Sequence, residues 1–159
     1  MDRRAFLKTA VAGSVVAGFA GTAAAAGRMF PTPVDQKLFE GINRVKDPAK
    51  KTALEKSHAP VIVAPKSVKA GEQFTVEVSV GEKLHDMGPA HWIEMIELNV
   101  GNEPAGKVDL QPKGYLKPRV AFTMVLTKDA APSGTVTLVA RQRCNLHGYW
   151  ETDVDVTVV

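Results

Sequence analysis

From Pro60 to the C-terminus, apolar side chains recur at every second position. In EQFTVEVSVG, Phe74, Val76, Val78 and Val80 alternate with polar residues, the pattern of a strand with one face on a core and the other toward water. WIEMIELNVG, RVAFTMVLTK, GTVTLVARQR and ETDVDVTVV continue the series, VIVA opens it, and GKVDL supplies a short member. Segments with this period cannot form helices with a single apolar face, because a helix face returns only every three to four residues. Gly, Pro, Asn and Asp punctuate the runs. The pattern predicts an all-β domain, an immunoglobulin-like β-sandwich of about seven strands.

Upstream the period changes. TPVDQKLFEGINRV offers Thr32 as a cap, Pro33 in the first turn, and Leu38, Phe39, Ile42 and Val45 at helical spacing. DPAKKTALEKS repeats the device with Asp47 and Pro48. These residues predict a leader of two short helices or helical turns over 27–57, ahead of the sandwich at 58–159. Residues 1–26 are of another kind. Arg3 and Arg4 precede a run of small apolar residues from Thr9 to Ala26 that ends in Ala24-Ala25-Ala26. This is the form of a twin-arginine (Tat) signal peptide, an address removed on export. The expectation is a periplasmic protein with no membrane segment after cleavage. About 130 residues remain, enough for one domain with a core. The formal net charge of +3 falls to about +1 without residues 1–26, so no nucleic-acid partner is implied.

RCNLHGYWE holds the only cysteine, Cys144, with His147 three residues later. An unpaired cysteine in an exported chain is an inert buried side chain, an intermolecular bridge, or a reactive or metal-bound sulfur. The four histidines, His58, His85, His91 and His147, all fall at strand edges or in loops. Histidine and cysteine are the ligands that hold iron, copper or zinc. HDMGPAH sets His85 and His91 across a Gly-Pro loop, and CNLH puts a thiolate and an imidazole in one tight turn. Ligands from three loops can meet at one end of a sandwich.

EKSHAP, H-x5-H-W-I-E-x-I-E and CNLHGYW, in that order over residues 55–151, resemble the superoxide reductases of the desulfoferrodoxin and neelaredoxin group. The resemblance implies one mononuclear non-haem iron, cycling between Fe2+ and Fe3+, on an immunoglobulin-like sandwich. His58, His85, His91 and His147 would be its equatorial ligands and Cys144 the axial one. The implied reaction is the one-electron reduction of superoxide to hydrogen peroxide, fed by an external electron donor that the residues do not identify. Lys56 would attract the anion and help its protonation, and Glu55 would ligate the oxidised iron. No cysteine lies upstream, so the resemblance is to the one-iron form without a rubredoxin-like domain. A homo-oligomer is compatible with all of this.

The chain departs from the family pattern in two places. Ser57 is an extra residue between Lys56 and His58, displacing Lys56 and Glu55 by one place, and Asp86 stands where a proline usually follows the second histidine. A cupredoxin-like electron carrier would need a weak axial ligand soon after His147. Gly148, Tyr149 and Trp150 stand there instead, with Met87 and Met124 elsewhere. A non-catalytic iron-binding sandwich is the other alternative. Changing Arg3 and Arg4 to Lys is expected to trap the chain in the cytoplasm. Cell fractionation checks this, and normal export of the variant would argue against twin-arginine targeting.

Overall fold

Val76, Val78 and Val80 have no exposed surface, and the strand that carries them is the centre of the smaller of two sheets. The structure, a computed structural model, describes residues 34–159. The signal segment, Thr32 and Pro33 lie outside the described residues. Strands β1 (Ile42–Asn43), β2 (Pro60–Val63), β3 (Ser67–Val68), β4 (Gln73–Val80), β5 (Ile93–Val100), β6 (Glu103–Asp109), β7 (Arg119–Val125), β8 (Thr135–Cys144) and β9 (Gly148–Val158) make two sheets. The smaller runs β2-β4-β7; the larger runs β1-β9-β8-β5-β6, with β3 added to β9. The seven strands expected from alternation are β2 and β4 to β9. The short β1 and β3 are additional, both running parallel to β9 at its opposite ends.

Between the sheets lies the core. β5 contributes Ile96 and Leu98, β8 contributes Leu138 and Ala140, and β9 contributes Val156, all fully buried against the valines of β4. Burying a side chain of Val, Leu or Ile stabilises by roughly 1.5–3 kcal/mol relative to exposing it. β8 and β9 form the long antiparallel hairpin, in register from Thr135↔Thr157 to Cys144↔Gly148. That register closes a three-residue turn holding His147.

The leader is helical only in part. A 3-10 turn covers Gln36–Phe39, capped by Asp35, whose carboxylate accepts from Lys37 N–H at 3.0 Å. Ile42 then pairs with Tyr149 and Asn43 with Trp150 as β1, rather than continuing a helix. Asp47 closes a turn by accepting from Ala49 N–H at 2.9 Å. The helix α1 begins later, at Ala53, behind a capping box of Thr52 and Glu55, and runs to His58. The boundary expected at residue 58 thus falls inside a helix.

Gly148 fixes how the leader docks. Its φ is +70°, and a Cβ there would collide with the carbonyl oxygen of Leu38. Gly148→Ala is expected to destabilise the fold by about 2–4 kcal/mol, combining left-handed strain with overpacking. Gly134 also has positive φ (+77°) but open space around it, so Gly134→Ala is expected to cost only about 1 kcal/mol. Urea unfolding of both variants checks the difference.

Candidate metal centre

Three chain segments meet at one end of the sandwich. α1 supplies His58 at its last residue. The loop between β4 and β5 supplies His85 and, just before β5, His91. The β8–β9 hairpin supplies Cys144, the last residue of β8, and His147 in its turn. Their donor atoms face one another. His85 Nε2 lies 3.2 Å from His58 Nε2 and 3.1 Å from His91 Nε2. His91 Nε2 lies 3.1 Å from His147 Nδ1 and 3.1 Å from Cys144 Sγ. Cys144 Sγ and His147 Nδ1 are 3.4 Å apart. Donors of His58, His91, Cys144 and His147 all fall within 4.8 Å of one another.

The ring orientations are fixed from behind. His58 Nδ1 is 3.0 Å from the Leu54 carbonyl and His85 Nδ1 is 2.5 Å from that of Asp86. A carbonyl only accepts, so both Nδ1 atoms carry the proton and both Nε2 atoms present bare lone pairs inward. Two such lone pairs 3.2 Å apart cannot share a hydrogen bond. A cation among them turns the repulsion into coordination, and tying the outer nitrogen to a carbonyl is how ligating histidines are held. The donor set, imidazole with one thiolate, suits iron, copper or zinc. Five donors exceed the four of a closed structural zinc site. These residues fit a mononuclear iron.

Burial shapes the electrostatics. It pushes His58 down to about 3 and His85 down to about 4, with the neighbouring imidazoles adding to the effect. Burial also lowers His91 and His147. All four imidazoles are therefore neutral at pH 7, the form that binds metal. Burial raises the Cys144 thiol, opposed by hydrogen bonds from the backbone N–H groups of Leu146 and His147. Those two donors are aimed at a sulfur that a metal would convert to thiolate.

A cleft of about 360 Å³ opens beside the cluster, lined by Lys56, Ser57, His58, Lys83, His85 and His91 among others, but not by Cys144. The cleft gives solvent access to the imidazoles, and the sulfur does not border it. Trp150 lies 5.7 Å from the His58 ring and donates from Nε1 to the His147 carbonyl at 2.9 Å.

The family model for desulfoferrodoxin matches residues 50–153. The chain belongs to the desulfoferrodoxin family. A candidate superoxide reductase of Methanocaldococcus jannaschii is 35% identical over 116 residues, covering 73% of this chain and 93% of that one. The solved superoxide reductase (neelaredoxin) of Ignicoccus hospitalis has 34% identity and a TM-score of 0.61, covering 80% of this chain and all of that one. A desulfoferrodoxin of Nitratidesulfovibrio vulgaris is 36% identical over 77 residues, 48% of this chain and 52% of that one.

Within this desulfoferrodoxin-family chain, the five expected ligand residues converge, and Lys56 lines the cleft despite the extra Ser57. Glu55 does not join them. Its carboxylate closes the start of α1, accepting from Thr52 N–H at 2.7 Å and Lys46 N–H at 3.0 Å. It borders cavities on the Arg44 and Trp150 side instead.

Sequence reasoning missed two supporting side chains. Asn145 accepts from Trp92 N–H at 2.8 Å and donates to the Ala90 carbonyl at 3.0 Å, strapping the hairpin turn to both flanks of His91. Gln142 is fully buried and donates to the His58 carbonyl at 2.9 Å. Its signal was present: alternation along β8 puts Val136, Leu138, Ala140, Gln142 and Cys144 on the core face, and only Gln142 is polar.

The metal-free protein is expected to lose stability as pH falls from about 6.5 toward 4. Unfolded imidazoles take protons near 6.5, whereas His58 and His85 in the fold resist until about 3 and about 4. The unfolded state then binds more protons, so acid favours it. A loss of about 1–3 kcal/mol between pH 7 and 5 is the expected result of urea titrations at the two pH values, and bound iron, which also requires unprotonated imidazoles, does not remove it.

Proposed function

We propose that this protein is a superoxide reductase, reducing superoxide by one electron to hydrogen peroxide at a single mononuclear non-haem iron. His58, His85, His91 and His147 would hold the iron with Cys144. The carrying observation is the convergence of five donors, with the outer nitrogens of His58 and His85 already bonded to carbonyls. Iron bound there supplies the electron, passing from Fe2+ to Fe3+, and an external reductant restores it.

The protein's own side chains govern access, charge and protons. Lys56 and Lys83 are exposed at the cleft, where fixed positive charge raises the local concentration of an anion. The cleft admits water, which supplies the two protons needed to convert superoxide plus one electron into hydrogen peroxide. Cys144 has no exposed surface; burial, the larger effect, raises its thiol, and the N–H groups of Leu146 and His147 oppose that. The asparagine strap keeps that sulfur and His91 in one unit. The Arg3-Arg4 segment supports export, so we place the reaction in the periplasm.

Elemental analysis with a superoxide-consumption assay tests the reading. About one iron per chain and peroxide formation are expected; stoichiometric copper or zinc without iron would overturn it. Cys144→Ser should remove the ferric thiolate absorption. Lys56→Ala should keep its iron but react roughly 3- to 10-fold more slowly with superoxide, with a flatter dependence on ionic strength, because salt screens steering over a Debye length of about 10 Å at 0.1 M.

A further inference from the structure

The segment Glu55-Lys56-Ser57-His58 holds two polar side chains whose bonds point to opposite assignments from their sequence order. Both Glu55 carboxylate oxygens are engaged, one with Thr52 N–H and the other with Lys46 N–H. Thr52 Oγ1 in turn accepts from Glu55 N–H at 3.2 Å, completing a reciprocal capping box. Glu55 is buried. For its carboxylate to reach the metal centre, two backbone N–H groups would be left without acceptors and the first turn of α1 would lose its cap.

Ser57 is placed quite differently. Its Oγ is 2.8 Å from His58 Nδ1 and 3.1 Å from the Leu54 carbonyl oxygen. That same carbonyl lies 3.0 Å from His58 Nδ1. Since the carbonyl can only accept, the hydroxyl donates to it and the imidazole N–H is shared between the carbonyl and Oγ. The serine hydroxyl is therefore a second acceptor for the proton of His58. With the tautomer set by the carbonyl, the hydroxyl helps to stop the ring from turning and makes Nε2 a stronger donor toward the centre. The line His58 Nδ1–H, Ser57 Oγ–H, Leu54 carbonyl is built entirely within α1.

We propose that Ser57, rather than Glu55, is the residue of this segment that acts on the metal centre: it is a positioning residue for His58, and Glu55 is a helix cap that does not coordinate the metal. The proposal rests on the five-ligand iron site above, and on no assumption about turnover. The oxidised site then keeps a position open to small anions from the cleft.

The test uses the mature chain loaded with iron, in wild type and three variants. Ser57→Ala is expected to release Fe(II) to a chelator about 10-fold faster, the lower end of what loss of an outer-shell partner does to metal retention. Its ferric thiolate band should also shift. Ser57→Thr restores a hydroxyl and should return both readings to wild type. Glu55→Gln keeps a capping-box partner but removes the carboxylate. It should leave the ferric band and the affinity for azide unchanged. Equal iron release in Ser57→Ala and wild type, or a moved ferric band or tighter azide binding in Glu55→Gln, would overturn the proposal. A wild type that holds iron yet consumes no superoxide would sink the functional reading while leaving this comparison intact.

Discussion

Like-charged lone pairs crowded into one small volume are the constraint around which this end of the molecule is organised. Three imidazole Nε2 atoms, one imidazole Nδ1 and a thiol sulfur stand at 3.1–3.5 Å from their neighbours. Left to themselves such groups would rotate apart or take up protons. Bonds from outside the cluster oppose both: Leu54 and Ser57 hold the His58 ring, Asp86 the His85 ring, Trp150 the His147 backbone, and Asn145 the hairpin turn. Preorganisation of this kind means that a metal arriving at the site finds its ligands already aimed.

The sandwich delivers this arrangement through ordinary strand geometry. β8 ends on its core-facing side at Cys144, so the sulfur emerges from the apolar layer with no contact with water. A turn of only three residues before β9 limits how far His147 can stray from it. β5 begins two residues after His91 and pairs Ile93 with Cys144, which brings the second loop against the first. The third element, α1, is tied down by Gln142 reaching from β8 to the His58 carbonyl. Three loops become one site because two of them are ends of paired strands and the third is bonded to one of those strands.

What was legible in the sequence follows the same division. The strands could be read because alternation is a direct consequence of one-sided burial, and the ligands because three motifs in order resemble those of a known iron-binding family. The leader was harder. Leu38, Phe39, Ile42 and Val45 have helical spacing, yet four residues of 3-10 turn and a two-residue bridge to β9 win. Here pairing with a ready strand edge outweighs weak local propensity. Phe39 is used instead against Arg143, whose guanidinium lies 5.8 Å from its ring and 5.7 Å from that of Tyr149. The start of α1 was read too early for a related reason. Thr52-Ala53-Leu54-Glu55 is itself a capping box, but Asp47-Pro48 is the louder start signal and drew the helix too early. Hydrogen bonds such as Ser57 to His58 have no periodicity and show only in three dimensions.

The spacing of the ligands along the chain carries a further consequence, for the order of events in assembly. His58 and His85 are separated by 27 residues, and His91 and Cys144 by 53. In an unfolded chain, gathering such distant groups has an entropic cost that grows with the logarithm of the loop length. Cys144 and His147, three residues apart, are the one local pair with the sulfur. An ion captured early could grip only a local pair such as this one, or His85 with His91 six residues away, and weakly. The full five-fold grip exists only once both sheets have formed, so an ion held by it works as a cross-link among three remote stretches of chain, closing the end of the sandwich after the strands have already found one another.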